Sequence, residues 1–411
     1  MDIRRLCADA AAAAKKFAYA DGREKNEMLE CIAAAIERRA DNILAANKID
    51  VEGFPPDKNR AFLDRLILNE KRIRAIADGV RAVIALEDPV GKVTNERALE
   101  NGLRITRVRA PLGVIAVIYE ARPNVTVDAA ALCLKSGNAC VLRGGKEAIN
   151  TNKTLYGIMK DALTGNNYDD GALQFIDKAD RAYAAELLRA SDYIDVVIPR
   201  GGEALKKFVA ENAKMPVIAS AGGVCHIYVE KTADLNMASD IIFNAKTSRP
   251  GVCNAAETLL ADEAVAAEFL PKCLERLSDA GVEIRGCAKT LELFKKAVPV
   301  SDYDTEYEAL ILAVKVVGDY NEAIEHINAH NTKHSDAVVT SDENVKRLFA
   351  ERVDAAAVYI NASTRFTDGF EFGLGAEMAI STQKLHARGP IGLEALTSEK
   401  YVVYGNGHIR N

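Results

Sequence analysis

Residues 113–119 read Gly-Val-Ile-Ala-Val-Ile-Tyr, an apolar run rich in β-branched side chains. A strand of that composition offers no polar face, so other elements must cover both of its sides. The flanking sequence meets this need. Strand signals at 140–142, 173–176, 194–198, 216–218 and 227–229 are interleaved with helical patterns at 147–163, 181–189, 202–212 and 236–243. Strands separated by helices of this length imply a doubly wound α/β sheet with parallel strands. A second α/β region follows, with strand signals at 310–316, 336–339 and 357–360. Ahead of all this, residues 10–19, 23–39 and 60–83 carry apolar side chains at helical spacing. Residues 105–109 alternate apolar and basic as a strand does, and the glycine-rich end of the chain closes on a strand-like stretch at 401–404.

The chain has 411 residues, 49% of them hydrophobic, enough for two or three cores at about 150 residues per domain. Its net charge of −6 comes without a long run of one sign, which argues against a general nucleic-acid binder. No apolar stretch is long enough to span a membrane, and the charged, alanine-rich N-terminus does not read as a signal peptide. Eight cysteines are scattered without a C-x-x-C pair, which fits neither a disulfide framework nor a zinc site. Cys7, Cys31, Cys133, Cys140, Cys273 and Cys287 lie among apolar residues and read as small hydrophobes. A reducing compartment, the cytoplasm, is expected.

No G-x-G-x-x-G follows a strand, and no G-x-x-x-x-G-K-[ST], H-E-x-x-H or G-x-S-x-G occurs. Any nucleotide is therefore held by another device. Attention falls on Cys253 in Lys246-Thr-Ser-Arg-Pro-Gly-Val-Cys-Asn254. Pro250 and Gly251 interrupt the chain before it, and residues 254–260 read as the start of a helix or a buried segment. A thiol at a helix start feels positive potential, and Lys246 and Arg249 would add cations. Both effects lower a free-cysteine pKa of about 8.5 and suit the thiolate to attack an acyl carbon. Spacing alone favours a cysteine buried in a tight turn, since no histidine adjoins it.

Several segments remove that ambiguity: Pro111-Leu-Gly-Val-Ile-Ala-Val-Ile-Tyr-Glu-Ala-Arg-Pro-Asn-Val-Thr126, Val141-Leu-Arg-Gly-Gly-Lys146, Ile198-Pro-Arg-Gly-Gly202, Thr247-Ser-Arg-Pro-Gly-Val-Cys-Asn254 and Gly373-Leu-Gly-Ala-Glu-Met-Ala-Ile-Ser-Thr382. In these, residues 104–403 resemble the aldehyde dehydrogenase superfamily, and within it the branch that reduces γ-glutamyl phosphate. The resemblance implies that Cys253 is the nucleophile and that the Asn124 amide helps form the oxyanion hole. A second amide N–H there would stabilise charge developing on the attacked carbonyl oxygen. It implies NADPH/NADP as cofactor. Arg143 stands at the position of a ribose-binding lysine, and Gly144 and Gly145 form the turn around the adenosine ribose. Lys146 stands where NAD-preferring relatives carry a glutamate, and a cation there complements a 2′-phosphate. Arg200, Gly201 and Gly202 precede a helix whose N-terminus could hold the pyrophosphate. Glu306 aligns with the glutamate that grips the nicotinamide ribose.

Hydrolytic relatives place a water-activating glutamate where this chain has Ser220, in Ser220-Ala-Gly-Gly223. A serine at its ordinary pKa cannot act as that base, so the thioester is expected to meet phosphate rather than water. A coenzyme-A-acylating relative is the alternative reading. The implied substrate, L-glutamate 5-phosphate, needs cations for phosphate and α-carboxylate, and Arg122, Arg249, Lys384 and Arg388 are the candidates. No metal is implied, and neither His226 nor His386 is assigned a role.

The expected architecture is α/β and aldehyde-dehydrogenase-like, with two doubly wound α/β domains and a small oligomerisation arm. A cofactor-binding domain is expected over 1–225, with 99–109 contributing to an oligomerisation hairpin. A catalytic domain would cover 226–393, and a C-terminal oligomerisation strand 394–411. Open edges of that arm invite pairing between subunits, so a homodimer or homotetramer is expected. Functional coupling to glutamate 5-kinase is left open by the resemblance. Neither nucleic acid nor membrane is an expected partner.

Overall fold

The computed structural model describes residues 1–55, 60–220 and 222–410. The chain divides into two compact units. One comprises 1–219 with 373–379 and 391–411, the other 220–372 with 380–390. Both are α/β.

In the first unit the apolar run forms the strand Val114–Tyr119, buried at every position. It is an inner strand of a four-stranded sheet ordered Leu173–Phe175, Ala139–Arg143, Val114–Tyr119, Val196–Arg200. All neighbours are parallel. The expected strand at 216–218 is reduced to a single parallel bridge between Val217 and Val197. Helices Pro123–Lys135 and Ile149–Gly165 pack with the N-terminal helices Ile3–Phe17, Gly22–Arg38, Ala40–Glu52 and Glu70–Ala85 into one apolar core. Asp2, Asp21 and Asn69 cap helices by accepting from the N–H groups of Arg5, Glu24 and Arg72 at 3.0, 2.8 and 2.9 Å. The Asn69 cap explains one departure from expectation. The pattern over 60–83 is two helices, Arg60–Leu66 and Glu70–Ala85, because a capping residue needs extended backbone (φ −140°).

A three-stranded antiparallel sheet belongs to the same unit, with Arg104–Pro111 between Val93–Ala98 and Thr397–Tyr404. Val93–Ala98 is exposed at every residue, and Tyr401, Val403 and Tyr404 are exposed on the opposite edge strand.

The second unit is built on a seven-stranded parallel sheet. Its order is Val298–Pro299, Glu283–Gly286, Ile311–Val317, Ala256–Asp262, Cys225–Val229, Ser335–Val339, Ala357–Ile360. Side chains alternate between two separate apolar clusters. Ile227, Val229, Leu259, Ala261, Ala337 and Val339 enter one cluster, while Tyr228, Leu260 and Val338 enter the other. That is the period-2 pleat of a sheet covered on both faces.

Gly113 starts the central strand of the first unit at φ +125°. A Cβ there would overlap the Asp195 carboxylate, which accepts the Val114 N–H at 2.8 Å. Gly113→Ala is expected to destabilise this unit by about 2–4 kcal/mol. The check is the urea midpoint, and an unchanged midpoint would contradict the assigned backbone strain.

Candidate active site

Helix Leu235–Thr247 begins at an Asp234 cap, whose side chain accepts from Asn236 and Met237, and stops at Ser248. Pro250 follows and cannot extend a helix. The chain turns through 249–255, with Ala255 N–H donating to the Val252 carbonyl at 3.0 Å. It then enters the fully buried strand Ala256–Asp262. Cys253 lies half-buried on that turn.

Two sequence expectations need correction here. Of the two readings of residues 254–260, the buried segment holds and the helix start does not. Burial between two neighbouring parallel strands overrides the helix-forming character of Ala, Glu and Leu. The adjoining helix enters the thiol turn by its carbonyl end, so a positive helix terminus does not activate Cys253. Lys246 is not a cation available to the thiol either. It is buried and ion-paired to buried Glu257 at 2.6 Å, and it also donates to the Ala256 carbonyl at 2.9 Å. Burial weakens the ammonium's hold on its proton and pushes the Glu257 carboxyl up.

The thiol turn is fixed from several sides by groups of the same unit. A Cβ on Gly223 would overlap the Cys253 carbonyl oxygen, so only glycine admits this approach. The Cys225 thiol donates to that oxygen at 3.2 Å. Asn254 Nδ2 donates to the Arg365 and Thr367 carbonyls at 3.2 and 3.0 Å, and Thr364 Oγ1 donates to the Asn254 carbonyl at 2.7 Å. Arg365 Nε donates to Ser248 Oγ at 3.1 Å, and its Nη1 bonds Asn254 Oδ1. Glu306 accepts the Gly223 N–H at 2.6 Å, which places it on the Ser220–Gly223 turn; Ala221 lies outside the described residues. Ser220 itself pairs through an antiparallel bridge with Ser381. Lys384 and Arg388 converge on Asp354 with Lys333, at 2.8, 2.6 and 3.2 Å. These three cations hold the Asp354 carboxyl well below the usual carboxylate range.

In the first unit, the C-terminal ends of neighbouring strands gather another set. Ile118 pairs with Arg143 and Tyr119 with Arg200 in register. This edge therefore carries Glu120–Asn124, Arg143–Lys146 and Arg200–Gly202, where doubly wound sheets bind ligands. Arg143 is buried; its Nη2 donates to the Ala179 carbonyl at 2.8 Å and its Nε has no partner. A Cβ on Gly144 would strike the Asn152 amide. Lys146 is exposed at the start of a 3₁₀ turn. Buried Asp50 pins the helix after that turn, accepting from Thr151 N–H and Oγ1 at 2.7 and 2.6 Å. Gly202 N–H, at the start of helix Glu203–Asn212, donates to Glu120 Oε2 at 2.7 Å. The expected anion position thus already holds a carboxylate, which shows that this N-terminus accepts an anionic oxygen.

Arg122 occupies the N-cap of helix Pro123–Lys135 and is half-buried. Asn124 lies in that helix's first turn, and its Nδ2 donates to Asp128 Oδ2 at 2.8 Å. Burial raises the Asp128 carboxyl to about 6 against the opposing effects of Asn124 and Arg200. Sequence reasoning missed Glu120, Asp128, Asp354 and Arg365. The first two lie inside or beside a quoted motif, but only the fold reveals their partners.

The arrangement of a half-buried cysteine turn in one α/β unit and a glycine-punctuated sheet edge in the other defines a class. The aldehyde dehydrogenase family model matches residues 1–285, and the chain belongs to that family. Within it, the chain falls among the γ-glutamyl phosphate reductases. The Moorella thermoacetica enzyme of that name is 55% identical over 390 residues, covering 94% of this chain and 93% of its own. That of Carboxydothermus hydrogenoformans is 53% identical and covers 100% of this chain and 99% of its own. The crystal structure of the Thermotoga maritima γ-glutamyl phosphate reductase superposes with a TM-score of 0.98 at 46% identity, over 100% of both chains.

The Asp354 cluster yields a prediction with a defined sign. Its folded-state pKa is depressed, so its contribution is present above the unfolded aspartate pKa of about 3.9 and is lost as pH falls below it. Asp354→Asn should lower stability at pH 7 by about 1–2 kcal/mol, with the deficit shrinking below about pH 4. Urea midpoints of both proteins at pH 7 and at pH 3 test this, and an equal deficit at both would contradict it.

Proposed function

We propose that the chain catalyses the NADPH-dependent reduction of L-glutamate 5-phosphate to L-glutamate 5-semialdehyde and phosphate, the second step of proline biosynthesis from glutamate. The observation that carries this is the Cys253 turn, held half-buried by Gly223, Cys225 and Asn254 within a chain similar to γ-glutamyl phosphate reductases over its length.

The Cys253 sulfur adds to the acyl carbon, the bond from that carbon to the phosphate oxygen breaks, and phosphate departs with the electron pair. The Cys253 N–H is one donor to the oxyanion, and Asn124 is assigned the second on the strength of its motif. The Asp128 hydrogen bond fixes the rotamer of that amide. Bound NADPH would supply the hydride that reduces the thioester. The resulting thiohemiacetal releases the aldehyde and restores the thiolate, with one proton taken up overall. The semialdehyde then cyclises to pyrroline-5-carboxylate without further catalysis.

The residues present fit the cofactor. Arg143 keeps a buried Nε without a partner, Lys146 is exposed beside it, and the Gly202 N–H already binds an anionic oxygen. Arg143, Gly144, Gly145 and Lys146 would hold the adenosine ribose and its 2′-phosphate, and Arg200, Gly201 and Gly202 the pyrophosphate. Glu306 remains the proposed ribose ligand by its motif, although its carboxylate here accepts from Gly223. Arg122, Arg249, Lys384 and Arg388 are the proposed cations for substrate. The exposed edges of the three-stranded sheet support assembly into a homodimer or homotetramer, and we place the enzyme in the cytoplasm.

Oxidation of the semialdehyde in the reverse direction is expected to require inorganic phosphate, and coenzyme A should not replace it. Cys253→Ser should lower kcat by about three orders of magnitude. Turnover without phosphate, or full activity of the serine variant, would overturn the scheme. Lys146→Glu should raise KM for NADPH about tenfold or more while leaving KM for NADH nearly unchanged. Equal changes for both cofactors would remove Lys146 from the 2′-phosphate site.

A further inference from the structure

Arg365 lies in the short 3₁₀ turn Thr364–Phe366 of the second unit. Its Nε donates to Ser248 Oγ at 3.1 Å, and its Nη1 bonds Asn254 Oδ1. These acceptors are the two ends of the stretch that contains Arg249 and Cys253, so one guanidinium bridges the loop on which the thiol is carried. Its own backbone is tied down as well. The Arg365 carbonyl accepts from Asn254 Nδ2 at 3.2 Å, and the Arg365 N–H donates to Ser363 Oγ at 3.3 Å. Such a rigid guanidinium is prepared to receive an anion without losing side-chain freedom on binding.

The charges around it are unbalanced. Neither Arg249 nor Arg365 forms an ion pair among the described residues, although Arg365 is half-buried. Burial and Arg249 disfavour the Arg365 cation, while Cys253 and Asp368 favour it. Arginine does not lose its proton in response. Two guanidiniums beside one thiol therefore call for an anion carrying more than a single charge.

The chemistry of the substrate decides which anion. In an acyl phosphate the phosphoryl group is joined through a single bridging oxygen to the carbonyl carbon that the thiolate attacks. The α-carboxylate lies beyond three further carbons. Cations in the thiol's own loop, or hydrogen-bonded to it, are positioned for the former. We propose that Arg249 and Arg365 form a phosphoryl subsite at Cys253, holding the phosphate of the acyl phosphate in reduction and inorganic phosphate in the reverse direction. This rests on the acyl-phosphate reading above and adds to it a residue outside every quoted motif.

The subsite answers two needs of the reaction. A thiolate approaching a phosphoryl dianion is repelled, and the guanidiniums offset that repulsion. As the bond from acyl carbon to oxygen breaks, the electron pair stays on the departing phosphate, whose charge the same two groups stabilise. No proton need be delivered to the leaving group. In reverse, a phosphate oxygen adds to the thioester carbon and the sulfur leaves as thiolate.

The test uses the full chain carrying Arg365→Gln, Arg365→Lys or Arg249→Gln, with semialdehyde oxidation followed as phosphate is varied. Both glutamine variants should raise KM for phosphate about tenfold or more, with KM for NADP and for the semialdehyde changed by less than about threefold. Arg365→Lys, which keeps the charge and is the milder change to the fold, should retain part of the phosphate affinity. A second readout needs no turnover. Inorganic phosphate should slow alkylation of Cys253 by iodoacetate in the unmodified chain, and this protection should be lost in the glutamine variants. An unchanged KM for phosphate, or a rise confined to KM for the semialdehyde, would overturn the subsite. If the unmodified chain oxidised the semialdehyde without phosphate, the acyl-phosphate reading would fall instead. The alkylation measurement would then still decide whether an anion binds beside the thiol.

Discussion

A lysine and a glutamate, both withdrawn from water, close the base of the loop that carries Cys253. Lys246 belongs to the last turn of helix Leu235–Thr247 and Glu257 to the start of strand Ala256–Asp262. Their 2.6 Å ion pair fixes the separation between those two elements. Removing two charges from water costs several kcal/mol per ion before any attraction is counted, and breaking such a pair by deleting one partner typically costs about 3–5 kcal/mol. The supporting hydrogen bonds to the Ala256 carbonyl and from the Glu308 N–H satisfy valences that the pair leaves over. What the pair secures is the span of the thiol loop, and the contacts from Gly223, Cys225, Thr364 and Arg365 can then act on a loop of defined width.

The first unit solves a comparable problem by a different means. Its strand Val114–Tyr119 is wholly apolar, and the polar groups gather only where the strands end. There Glu120 caps the helix Glu203–Asn212 through the Gly202 N–H, and Asp50 caps the segment after Lys146 through Thr151. Carboxylates occupy helix starts because unpaired N–H groups and the helix dipole favour negative charge. The Glu120 contact has a further consequence on the proposed function. A dinucleotide pyrophosphate at that N-terminus would compete with the Glu120 carboxylate, so cofactor affinity would depend on where this side chain goes when displaced.

Much of this was legible in the sequence because burial on both faces of a parallel sheet writes itself as apolar runs. The strand Ala357–Ile360 matches the pattern residue for residue, and Val114–Tyr119 nearly so. Residues 254–260 stayed ambiguous between helix start and buried segment for the same reason. An apolar stretch containing Ala, Glu and Leu is consistent with a helix until its neighbours in the sheet are known. The motif residues were legible as chemistry, but their partners were not. Asp354, Arg365 and Glu120 meet Arg388, Ser248 and Gly202 across separations of 34, 117 and 82 residues, and no local pattern encodes a pairing of that length. The cationic role first given to Lys246 failed likewise, since its partner Glu257 lies beyond the turn.

The position that hydrolytic relatives give to a water-activating glutamate is instructive in this light. The motif resemblance puts Ser220 there, and Ser220 pairs through an antiparallel bridge with Ser381. The fold does bring one carboxylate to that turn, that of Glu306, but a Cβ on Gly222 would run into it and the Gly223 N–H already donates to it at 2.6 Å. That backbone N–H holds the carboxylate against the turn. A carboxylate tethered in this way is a poor activator of water. On the proposed function this is a requirement of the chemistry, because a thioester that must await hydride or phosphate survives only where no strong base can deliver hydroxide to it.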